Sequence, residues 1–116
     1  KQKEEILAMG VRASKPEQFN REWTKWAEAT LEKNHERVIF SDKGKFYTYK
    51  LKSKYSKIRF LELTTPNAMT IFGDHTMIIL QYDEPVRVIF INDKTTVKTF
   101  IAIFETLWNI AKESKQ

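Results

Sequence analysis

The stretch TIFGDHTMIILQYDEPVRVIF, Thr70–Phe90, decides the fold. Two apolar runs, Met69–Phe72 and Met77–Tyr82, flank Gly73-Asp74-His75, and a third, VRVIFI, follows Asp83-Glu84-Pro85. Short runs rich in Ile, Val and Phe that stop at Gly, Pro and Asp are the pattern of strands joined by turns. Connections this short predict hairpins, since parallel strands need crossovers of a dozen or more residues. The same stretch gathers His75, Asp74, Asp83 and Glu84 at its turns, which raises the question of a catalytic hairpin.

Upstream the spacing changes. EEILAMGV predicts a buried strand over Ile6–Met9 that ends at Gly10. Ser14, with Glu17 three residues on and Pro16 in the first turn, then starts a helix. Phe19, Trp23, Trp26, Ala27 and Thr30 give that helix one apolar stripe, and Asn34-His35 breaks it. RVIF, Arg37–Phe40, is a second buried strand, and KIRFLEL, Lys57–Leu63, a third. Between them Phe46–Tyr55 reads as a helix or as a strand. After Ile91, NDKTTVKTFIAIFETLWNIAKESK predicts a long helix with a stripe of Val97, Phe100, Ile101, Phe104, Leu107, Trp108 and Ala111. Ile103 and Ile110 lie outside the middle of that stripe and mark a candidate dimer interface.

The order β-α-β-(α)-β-β-β-α predicts an α/β fold with a mixed sheet: parallel strands first, hairpins later, and helices packed on the sheet. The 116 residues suit one domain, and no linker or repeat divides 1–116. The absence of cysteine excludes disulfides and thiolate metal sites and fits a cytoplasmic protein. No apolar run approaches the roughly 20 residues of a membrane span. The opening KQKEEILAMG does not start with Met and enters an apolar segment almost at once, so the chain reads as a piece of a longer protein.

Several constellations compete for a function. In open sheets with parallel strands, ligands bind beyond the carboxyl ends of those strands. Gly10 and Arg12, Ser41 and Asp42, and Glu62 stand there, and the turn adds His75 as a hydrogen-bond donor; Arg12, Ser41, Glu62 and His75 are the candidate ligand set. The plainer account of His75 is a turn residue facing water, and that of His35 is a residue at a helix end. Two His without a spacing motif offer no metal site, and no cofactor motif is present. The segment Lys43–Arg59 holds Lys43, Lys45, Lys50, Lys52, Lys54, Lys57 and Arg59 and no acid. With Phe46, Tyr47, Tyr49 and Tyr55 interleaved, it suits a phosphate backbone. The plainer account is a solvated face whose aromatics turn to the core.

Taken in order, EILAMG, EQFNREWTKWAEATLEKN, RVIFSD, KIRFLE, TIFGDHTMIIL, EPVRVIFIND and TFIAIFETLWNIAK resemble the regulatory domain of archaeal TrmB-type transcriptional regulators. The resemblance covers essentially the whole chain and rests on the FGD turn, the EP that enters the last strand, and F-E-x-L-W. It implies a phospholipase-D-like half-fold, an N-terminal winged helix that this piece lacks, DNA contacted through that winged helix, a homodimer, and a small effector, a sugar in some members. Phospholipase D enzymes use H-x-K-x4-D, in which His attacks phosphorus and Lys holds the phosphate oxygens. With His75 in the Lys position, Gly73 replaces the nucleophile and Leu80 the Asp; with His75 as nucleophile, Met77 replaces the Lys and Tyr82 the Asp. Both registers are broken, and one imidazole without a cationic clamp does not stabilise a transferring phosphoryl group. The expectation is therefore a regulatory, non-enzymatic domain. A nucleic-acid-binding module is the alternative, and a phosphodiesterase with an atypical site the weaker one.

Overall fold

The computed structural model describes residues 5–11, 35–42, 56–63, 67–81, 85 and 87–113. Among them run seven strands and one helix: β1 (Glu5–Val11), β2 (His35–Phe40), β3 (Ser56–Phe60), β4 (Asn67–Phe72), β5 (Thr76–Gln81), β6 (Arg87–Ile91), α1 (Lys94–Ile110) and β7 (Lys112–Glu113). They form one mixed sheet in the order β6-β5-β4-β1-β2-β3-β7. The β1–β2 and β2–β3 pairs are parallel, and β4–β5–β6 are successive antiparallel hairpins. The expected α/β class with a mixed sheet holds.

Burial explains why the strands differ in pattern. β1 is central, and every residue from Ile6 to Val11 is buried. A strand covered on both faces needs a continuous apolar run rather than an alternation, and ILAM supplies it. Gly10 takes φ 72° where the β1–β2 register slips between Met9 and Val11, a left-handed conformation that a side chain would penalise. Gly73 does the same, at φ 64°, in the tight turn between β4 and β5.

One face of the sheet carries Leu7, Met9, Ile39, Ile71 and Met77, and α1 lays Val97, Phe104 and Trp108 onto it. The predicted stripe is the face that packs: Phe100, Ile101 and Leu107 flank the three buried residues. Asp93 caps the helix in an extended conformation, its carboxylate accepting from the Thr96 backbone N–H at 3.0 Å and from the Thr96 hydroxyl at 2.7 Å. Those two bonds lower the Asp93 pKa.

Some boundaries differ from those read in the sequence. The helix stops at Ile110 rather than continuing through the Lys/Glu-rich tail, because Ala111 turns extended (φ −72°, ψ 147°). Lys112–Glu113 then pairs antiparallel with β3, a strand that two charged residues do not advertise. His35 opens β2 opposite Glu5, and the helix expected before it lies outside the described residues. β3 ends at Phe60 rather than Leu63, and Tyr82 lies outside the described residues. The expected helix after Ser14 and the ambiguous Phe46–Tyr55 segment lie outside the described residues.

Phe104 is fully buried, whereas Ile103 beside it is 42% exposed. Phe104→Ala is expected to cost about 3–5 kcal/mol in denaturant unfolding. Ile103→Ala should stay within about 0.5 kcal/mol, as exposed substitutions do.

Candidate functional site

The register of β4 decides where the sequence-predicted ligand residues stand. β4 runs antiparallel to β1, with Phe72 opposite Ile6, and the Gly73 N–H donates to the Glu5 carbonyl at 3.0 Å. The turn that holds His75 therefore lies at the starting end of β1. Ser41 and Glu62 follow the ends of β2 and β3, at the opposite end of the sheet. A strand the length of β1 spans about 20 Å at roughly 3.3 Å per residue. One small ligand does not bridge that gap, so the set divides into Ser41 with Glu62 on one side and His75 on the other. Arg12 lies outside the described residues.

Ser41 is also committed locally. It is buried, its N–H donates to the Val11 carbonyl at 2.9 Å, and its hydroxyl donates to the same carbonyl at 3.2 Å. It stitches the end of β2 to the end of β1. Glu62 is exposed.

In the hairpin, Nδ1 of His75 lies 2.7 Å from the Thr76 hydroxyl, and Thr76 donates to Asn92 Oδ1 at 3.5 Å. Met77 is fully buried beneath α1. A Lys at that position would have its ammonium in the apolar core, so in the register with His75 as nucleophile the phosphate clamp has no place to stand. Among the described residues, no group of three or more His, Cys, Asp or Glu is placed to hold a metal ion.

Among the described residues, the densest polar constellation is one the sequence did not reveal. Arg37 of β2 donates to both carboxylate oxygens of Glu5 (2.8 and 3.0 Å) and to both of Glu105 on α1 (2.8 and 2.6 Å). Its guanidinium lies 5.3 Å from the ring centres of Phe104 and Trp108, which stack at 5.8 Å. Arg59 of β3 sits 4.4 Å from the Trp108 ring centre and donates to the Trp108 carbonyl at 2.6 Å and to Glu113 at 3.4 Å. Two arginines thus flank Trp108, with bidentate geometry a lysine does not reproduce. An Arg inside an apolar strand run, as in RVIF, was the available signal. On the other face, Glu36 is buried and accepts from the Ser56 hydroxyl at 2.5 Å.

This cluster bears on the basic segment. Arg59 belongs to it, yet its guanidinium is engaged inside the molecule; Lys57 is exposed. Lys43, Lys45, Lys50, Lys52 and Lys54 lie outside the described residues. Ile103 and Ile110 are 42% and 63% exposed on α1, so neither is absorbed by the core.

No family model and no curated protein matches the sequence. The fold is similar to that of TrmBL2, described as an archaeal chromatin protein whose structure shows a novel mode of DNA binding, with a TM-score of 0.63 and 15% identity. The match covers 95% of this chain and 45% of that one, so this chain spans less than half of the neighbour's length.

The carboxylate of Glu105 is held below the usual range, first by its hydrogen bonds from Arg37 and then by Arg37's charge, against partial burial. The same bonds raise the Arg37 pKa, so the arginine stays charged at every working pH. A depressed carboxylate stabilises the fold above its unfolded pKa, and that contribution is lost as pH falls through the folded value. Stability should therefore decline as pH drops below about 4.5. Arg37→Met is expected to cost about 1–2 kcal/mol at pH 7, the discounted worth of a half-exposed ion pair plus arginine stacking. It should also flatten the acid limb of a stability-versus-pH curve followed by urea unfolding.

Proposed function

We propose that this chain is the regulatory domain of a TrmB-type transcriptional regulator, a non-enzymatic module with a phospholipase-D-like half-fold. The fold likeness to TrmBL2 over nearly the whole chain carries this reading. In it, duplex DNA is contacted by a winged helix carried elsewhere on the parent polypeptide, in the cytoplasm of an archaeon. A small effector, a sugar being one class, favours one arrangement of a homodimer and so shifts the DNA-competent population. Ser41 and Glu62, at one end of the sheet, and Arg12 are the effector-site candidates, with His75 a separate candidate at the other end. Ile103 and Ile110 are one surface available for pairing.

The loss of the phosphodiesterase constellation supports a non-enzymatic role. Gly73 stands where one register needs a nucleophile, and buried Met77 stands where the other needs a cation. No turnover of a generic phosphodiester is expected from the purified chain. Turnover that His75→Ala abolishes would restore the enzyme reading.

The nucleic-acid rival has a specific observation in the acid-free run Lys43–Arg59. Titrating the chain with duplex DNA at about 150 mM salt should give binding no tighter than about 10⁻⁶ M, the non-specific range. Nanomolar affinity lost on neutralising Lys50, Lys52 and Lys54 would establish the rival instead.

A further inference from the structure

β6 is the outermost strand, and no described strand pairs with its outer edge. Its three middle residues are exposed on both faces of the sheet. Ile89 (50%) points to the α1 side, opposite Ile79, while Val88 (49%) and Phe90 (74%) point to the other, opposite Leu80 and Ile78. A helix docked on one face would cover at most two of the three. An in-plane strand covers both, and it also takes up the edge hydrogen-bonding groups.

Edge strands are ordinarily blunted by an inward charge, a Pro, a bulge or a covering loop. Within β6 the register with β5 is unbroken, no residue has positive φ, and RVIFI has a charge only at its first position.

We propose that β6 pairs antiparallel with β6 of a second copy of this chain, joining the two sheets edge to edge. The sequence is self-complementary about Ile89. In that register Ile89 meets Ile89, Val88 meets Phe90, and Arg87 stands opposite Ile91 with Asp93 diagonal to it on the same face. Asp93 is still extended, and a diagonal neighbour about 7–8 Å away is within an arginine's reach. Antiparallel pairing thus brings the cation at one end of the strand beside the anion at the other, twice by symmetry, whereas parallel pairing would set Arg87 beside Arg87. The two-fold axis runs perpendicular to the sheet, so both α1 helices lie on one side and both apolar faces continue across the junction.

The three side chains cover on the order of 700 Å² over two copies, taking about 200 Å² for a large apolar side chain. That is roughly half of a standard interface of about 1,200–2,000 Å², which places the dimer among weak, reversible associations. This sets β6, rather than Ile103 and Ile110, as the pairing surface of the homodimer proposed above, and it stands or falls independently of the DNA reading.

Sedimentation of the chain from about 5 to 500 μM tests it, with hydrogen exchange at both ends of the range. The expected result is a monomer–dimer equilibrium accompanied by slower exchange of the Val88–Ile91 amides at high concentration. Phe90→Lys, at a site too exposed to unfold the chain, should shift dissociation upward at least tenfold with unchanged circular dichroism. The double variant Ile103→Lys with Ile110→Lys should leave it unchanged. A monomer throughout, a dimer that survives Phe90→Lys, a dimer abolished only by the helix variant, or β6 amides insensitive to concentration would each overturn the proposal. None of these outcomes touches whether the parent polypeptide binds DNA.

Discussion

Arg37 ties three elements together, and the placement of α1 rests on it. It rises from β2, takes Glu5 of the neighbouring β1 on one side and Glu105 of α1 on the other, and lies against the Phe104–Trp108 stack. An apolar stripe alone fixes which side of a helix is buried but leaves sliding along the sheet cheap. A guanidinium fork with two bidentate partners sets rotation and translation together. Arg59 completes the anchor at the far end, where its bond to the Trp108 carbonyl accompanies the end of the helix and the start of β7.

That anchoring has a functional corollary. Basic residues near the sheet look like a phosphate-binding surface when counted along the sequence. Of the three arginines among the described residues, Arg37 and Arg59 are turned inward onto carboxylates, a carbonyl and indole, and Arg87 is exposed on β6. The described sheet and helix therefore have the character of a scaffold. The hairpin at Gly73–His75 fits the same description: it is held by backbone bonding to β1, with Met77 serving the core.

The fold was legible in the sequence where burial imposes a period. The continuous ILAM and VIF runs gave the central parallel strands, the Gly73 turn gave the β4–β5 hairpin, and the Val97–Trp108 stripe gave the packed face of α1. Features set by distant partners were not legible. β7 exists because Arg59 and β3 are there to receive it, and nothing within Lys112–Glu113 announces it. His75 was grouped with Ser41 and Glu62 because the direction of β4 relative to β1 is a tertiary choice. Once that pairing is antiparallel, the turn falls at the other end of the sheet. The arginine anchor was hidden for the same reason, since Glu5 and Glu105 lie 32 and 68 residues from Arg37.

In the function proposed above, DNA is contacted outside this fold, by another part of the polypeptide that carries it. Hydrogen-exchange mapping of that polypeptide, free and bound to duplex DNA at about 150 mM salt, tests it most directly. The expected result is protection on DNA binding outside residues 5–113, with the Lys43–Arg59 amides unchanged. Protection concentrated across Lys43–Arg59, with none outside residues 5–113, would contradict it.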